Sequence, residues 1–149
     1  MLYEQELKTF VDATTNFFVV AAQEPASIGS PYLMEGSPSV HEYTGIIRIS
    51  GKREGVVYFT APKAMLTVML MKMQENDFSH ETMRDLVGEV ANTISGNARR
   101  DFSRDFVISV PNVLTGEERP DVPREPGRRS FIIPINWRSH SAKLVVSLT

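Results

Sequence analysis

The segment "GEVANTISGNARRDF", residues 88–102, follows a helix start and continues it, yet its residues suit a surface helix poorly. Glu89, Asn92, Gly96 and Asn97 stand where Lys, Glu and Ala would be expected. Each glycine costs about 1 kcal/mol against alanine in a helix interior. Upstream, Ser79 is a good N-cap and Glu81 places a negative charge in the first turn. The predicted helix therefore runs from about His80 to about Arg100.

Successive helical residues are about 100° apart. With Asp85 at zero, Glu89 falls near 40°, Asn92 near −20° and Gly96 near 20°, about one stripe of an ideal helix. Met83, Val87, Val90, Ile94 and Ala98 share the opposite side, which is the core face. The odd residues are displayed. Gly96 then either leaves room for another macromolecule to approach or relieves crowding against a neighbouring helix.

Working outward, residues 3–22 repeat apolar positions at helical spacing through Leu7, Phe10, Val11, Phe17, Phe18, Ala21 and Ala22. A loop with Pro25, Pro31 and Pro38 follows, and Tyr32-Leu33-Met34 within it is a short extended piece. Residues 41–62, "HEYTGIIRISGKREGVVYFTAP", give two strands around a "GKREG" hairpin loop. Pro62 suits the first turn of a helix continuing through "KAMLTVMLMKM", whose methionines are core filler or a pliable contact face. After the displayed helix, "DFVISVPNVLTG" reads as one strand, alternating Phe106, Ile108 and Val110 and closing near Pro111. "EERPDVPREPGRR" is a loop. Two strands finish the chain, "SFIIPINWR" and "AKLVVSLT", with "SHS" as their turn. Pro134 marks the first as an edge strand or a bulge. The expected order is α-β-β-α-α-β-β-β in a single domain, residues 1–149. The fold class is α+β, with helices packed on a mostly antiparallel sheet.

Composition narrows the chemistry. No cysteine is present, which removes disulfides, thiolate metal sites and a Cys nucleophile. The net charge of −2, with acids and bases interspersed, argues against a nucleic-acid partner. No apolar run approaches the roughly 18 residues of a membrane span, and the first ten residues lack a signal-peptide pattern. A cytoplasmic protein is expected. His41, His80 and His140 have no metal-ligand spacing, and Ser95 has no histidine within four residues. There is neither a P-loop nor a dinucleotide fingerprint.

"DLVGEVANTISGNARRDF" resembles the active-site helix of the CheC/CheX/FliY phosphatases of bacterial chemotaxis. Their motif is Asp or Ser, three residues, Glu, two residues and Asn, filled here by Asp85, Glu89 and Asn92. The "GNA" after it is typical of the CheX branch. "EYTGIIRISGKREGVVYFTAP" is similar to the CheX strand–turn–strand, and Pro111 in "ISVPNVLTG" matches the family's later proline. The resemblance covers about Tyr43 to Gly116. CheC-type members carry two motif helices; this chain carries one, and its first helix lacks the Glu-x-x-Asn pattern.

The resemblance implies hydrolysis of the aspartyl phosphate on a CheY-like receiver domain. It implies that Asn92 positions the attacking water and that Glu89 pairs with the receiver's active-site lysine. Asp85 would be a peripheral polar contact and Gly96 would provide clearance. No cofactor is expected on this chain, since the receiver brings Mg²⁺. A homodimer formed by joining sheets is also implied, with "AKLVVSLT" as the candidate edge. The alternatives are a binding module that docks phosphorylated receivers without hydrolysis, and a motor or signalling adaptor using the methionine-rich helix.

Overall fold

A computed structural model describes residues 4–102, 106–122 and 129–149. Helix α1 spans Glu4–Val20, followed by two short strands, β1 Ser27–Ile28 and β2 Tyr32–Leu33. The hairpin β3 Tyr43–Gly51 and β4 Gly55–Ala61 leads into α2 Lys63–Lys72 and α3 His80–Arg99. Strands β5 Phe106–Ile108, β6 Asn112–Thr115, β7 Arg129–Trp137 and β8 His140–Leu148 complete the order. Tyr3, Asp105 and residues 123–128 of the expected helix, strand and loop lie outside the described residues.

The strands form one antiparallel sheet in the order β1-β7-β8-β4-β3-β5, with β2 also on β7 and β6 also on β3. Strand alternation divides its two faces. Ile47, Ile49, Val57, Phe59, Leu144 and Val146 point into the main core with Phe10, Phe18, Met65, Met69, Val87 and Ile94 from the helices. Ile46, Val56, Tyr58, Ile132 and Val145 form a smaller cluster on the reverse face, closed by Val122 and flanked by Met34, Val40 and Leu114. The α+β architecture is therefore the one expected, with the helices on one side of the sheet.

Four local expectations are corrected. "AKLVVSLT" is not an edge: β8 lies between β7 and β4, hydrogen-bonded on both sides. Leu144, Val145 and Val146 are consecutive and all fully buried, because both faces of the sheet are covered there. Its turn is Arg138–Ser139, with Arg138 in the left-handed region at φ 55°, and His140 and Ser141 already belong to the strand. The edge alternative for β7 fails, because β1 and β2 lie outside it, and the bulge alternative holds: between the Ile28–Ile135 and Tyr32–Ile132 pairs, three residues face two, Ile133 and Pro134. The Pro134 carbonyl accepts from Gly29 N–H at 2.9 Å, so the missing proline N–H falls on that loosely paired side. Finally, "DFVISVPNVLTG" is two strands, β5 and β6, both on β3.

In α2, Met65 and Met69 are fully buried and Met71 is 59% exposed, so most of the methionine stripe is core filler. Ser79 caps α3 as expected, its hydroxyl accepting from Thr82 N–H at 3.2 Å. Asp77 braces the cap, accepting from Ser79 N–H at 2.9 Å and from the Thr82 hydroxyl at 2.7 Å. The Thr82 hydroxyl, then Ser79, hold the Asp77 carboxyl below the usual carboxylate range. Ser79→Ala is expected to cost about 1 kcal/mol in urea unfolding. A change under about 0.3 kcal/mol would mean that Asp77 alone holds the helix start.

Candidate functional site

Helix α3 is amphipathic because its apolar residues recur every three or four positions. Met83, Leu86, Val87, Val90, Ala91, Ile94 and Ala98 are all buried. That orientation leaves Asp85, Glu89 and Asn92 exposed on the opposite side, as the spacing predicts. Among the described residues, no hydrogen bond or ion pair engages the side chain of any of the three. A carboxamide and two carboxylates are thus free to meet a partner.

The two glycines of the opening segment do different work. A Cβ built on Gly96 meets nothing within 4 Å, so this glycine is not relieving a contact inside the molecule. It leaves an opening on the displayed stripe. Gly88 is buried: a Cβ there would stand 3.3 Å from Pro111 Cβ and 3.3 Å from Val113 Cγ2. Gly88 lies about 60° from Asp85 around an ideal helix, on the flank of the stripe. The sequence signal for this contact was a mid-helix glycine off the displayed stripe, which a close approach explains.

The helix is seated on β3 by a third glycine. A Cβ on Gly45 would lie 2.2 Å from the Val87 carbonyl oxygen and 3.0 Å from Gly88 Cα. Strand and helix backbones therefore meet at Gly45, which fixes the height of the displayed face above the sheet.

Other candidate groups lie elsewhere. Ser95 is fully buried, on the flank of α3 about 60° from Asn92 on an ideal helix, so its hydroxyl is not displayed. His80 is tied to Tyr43, its Nδ1 2.7 Å from the phenol oxygen. His41 is partly buried, and burial, then the Lys143 charge, push its imidazole down. A cleft between α1 and the β1–β2 connection is lined by Glu4, Leu7, Lys8, Ile28 and Pro31, and holds no residue of α3. No helix among the described residues is long and apolar enough to cross a membrane.

Fold and site together define an α+β protein that displays an unpartnered acid–amide stripe on one helix of a helix-covered sheet. The chain belongs to the CheX family, described as chemotaxis phosphatase CheX, which matches residues 43–136. CheX from Desulfovibrio desulfuricans is similar to it in structure, with a TM-score of 0.83 at 24% identity, covering 97% of this chain and 98% of that one. CheX from Vibrio vulnificus gives a TM-score of 0.82 at 18% identity, covering 97% and 99%. A CheX–CheY–BeF₃–Mg²⁺ complex from Borrelia burgdorferi gives 0.74 at 21% identity, covering 96% and 97%. Identities this low support the fold. No curated protein sequence matches the chain significantly.

Proposed function

We propose that this chain hydrolyses the aspartyl phosphate of a CheY-like receiver domain, with Asn92 and Glu89 completing a site that exists only in the complex. The observation that carries this reading is the free, exposed Glu89–Asn92 pair on α3, beside the opening at Gly96. Membership of the CheX family and the fold shared with the Borrelia CheX, seen in a complex with CheY, support it.

An acyl phosphate is already activated, so a catalyst has mainly to position water and match charge. The Asn92 carboxamide offers an acceptor and two donors without adding a full charge near the phosphoryl oxygens. It holds the attacking water in line with phosphorus. Glu89 pairs with the receiver's active-site lysine in a charge-assisted hydrogen bond and sets the docking register. Asp85 makes a peripheral polar contact. Gly96 admits the partner's backbone. The receiver supplies Mg²⁺, and this chain contributes no metal ligand to the reaction. Such a substrate places the protein's work in the cytoplasm.

A homodimer built by sheet joining belongs to the same proposal, and its edge is not β8. The outer positions are β1 and β2 at one side and β5 and β6 at the other.

The test is the decay of a phosphorylated CheY-like receiver from the same genome, followed with and without this protein. Faster decay at substoichiometric protein supports turnover. Unchanged decay with tight binding would leave a receiver-binding module in its place.

Gly96 gives an independent check. Gly96→Ala meets open space and is expected to stabilise the helix by about 0.5–1 kcal/mol. Gly96→Arg is expected to leave the melting temperature near wild type while weakening receiver binding about tenfold, a typical interface effect. Equal binding by both variants would remove Gly96 from the docking surface.

A further inference from the structure

The edge of the sheet beside α3 contains a register slip. Ile49 pairs with Ile108 and Gly51 with Phe106, whereas Ile46 pairs with Asn112 and Gly45 with Val113. Two residues of β3, Ile47 and Arg48, therefore face three on the partner side, Ser109, Val110 and Pro111. This is a β-bulge with one extra residue, a device that re-aims side chains at sheet edges and next to sites. Ser109 fastens it: its hydroxyl accepts from Arg48 N–H and donates to the Val110 carbonyl, both at 2.9 Å.

The bulge has an apolar consequence. Unbroken alternation would put Val110 on the side of buried Phe106 and half-buried Ile108. Val110 is instead 85% exposed. Its neighbour Pro111 stands against Gly88 on the flank of the Asp85–Glu89–Asn92 stripe. An apolar pair, Val110–Pro111, is thus held outward at the margin of the displayed polar face.

We infer that Val110 is an apolar docking residue for the phosphorylated receiver, presented by this bulge alongside the stripe that carries Glu89 and Asn92. The inference rests on the proposed receiver phosphatase reading. The surface is continuous with that site through the Pro111–Gly88 contact, so a partner lying along α3 also covers the bulge. An exposed apolar anchor beside a polar site supplies affinity without entering the chemistry.

The test uses the BeF₃⁻–Mg²⁺-loaded receiver for binding and the phosphorylated receiver for turnover, with the full chain. Val110→Asp and Val110→Lys are both expected to raise Kd about tenfold, while kcat at saturation stays within about twofold. Val110→Ile is expected to bind like the wild type. Melting temperatures near wild type accompany all three, because the side chain is outside the core. Unchanged Kd in both charged variants, with Asn92→Ala still impairing turnover, overturns the docking role and leaves the phosphatase reading standing. Weakening by only one of the two charges would make the contact electrostatic and overturn the apolar assignment. A wild-type protein that neither binds nor dephosphorylates the receiver overturns both readings.

Discussion

Gly45→Ala is expected to destabilise the protein by about 3 kcal/mol or more, the scale of a severe packing defect. The added Cβ would stand 2.2 Å from the Val87 carbonyl oxygen and 2.7 Å from its carbon. Both atoms are helix backbone, so a rotamer change cannot relieve the clash. Either α3 lifts from β3 or the β3–β4 register yields. Lifting α3 opens the packing of fully buried Val87, Val90 and Ile94 against the sheet. Separating well-packed apolar groups without letting new ones fill the gap forfeits dispersion as well as burial. Urea unfolding of the variant measures the loss. A cost below about 1 kcal/mol would show that the helix accommodates the methyl by a small slide, and that Gly45 does not set its seat. Gly96→Ala is the internal comparison, since the same added methyl there has the opposite sign.

The contrast between these glycines shows what the sequence could and could not display. The displayed stripe was legible because it depends on one helix: its period alone separates Asp85, Glu89 and Asn92 from Met83, Val90 and Ile94. The Ser79 cap was legible for the same reason. The seat at Gly45 was not, because it joins a strand to a helix far along the chain and neither segment announces the other. Strand β1 is two residues long and exists through its pairing with β7, so no local pattern marks it, whereas β2 falls within the extended piece expected at Tyr32-Leu33-Met34. The misplacement of β8 had a readable counter-signal. Leu144-Val145-Val146 is a continuous apolar run, which fits a strand covered on both faces better than an edge. At Pro111, which cannot donate to a ladder, the expected strand closes; what the sequence did not show is that the chain beyond it pairs again with β3 as β6.

The candidate site was legible as a location and less so as a mechanism. Periodicity shows which groups are displayed, and the family resemblance assigns them roles. The flanking surface of Val110 and Pro111 depended on a one-residue shift in pairing, which alternation alone could not reveal.

Asn92→Ala is expected to lower the saturated rate of receiver dephosphorylation by about 10²-fold, the usual cost of losing alignment at a reacting centre. Asn92 is exposed and unpaired in the free protein, so its removal takes nothing from the core. Alanine is also the better helix former, and the variant is expected to melt no lower than the wild type. Loss of activity therefore cannot be ascribed to unfolding. Binding of the BeF₃⁻–Mg²⁺-loaded receiver is expected to change by no more than about threefold, since in the proposed mechanism the carboxamide acts on water in the transition state. Glu89→Gln is expected to show the complementary pattern, with Kd raised by about tenfold or more as the proposed ion pair with the receiver's lysine loses its anionic member. Asn92→Asp keeps the shape but brings a negative charge towards the phosphoryl oxygens, and is expected to fall as far as alanine. Single-turnover decay at saturating protein separates these effects. If Asn92→Ala retains the wild-type rate within about threefold, water positioning belongs to another group and the assignment fails. If it loses binding and rate together, Asn92 is a docking contact, and the free pair on α3 recognises the receiver without supplying the chemistry.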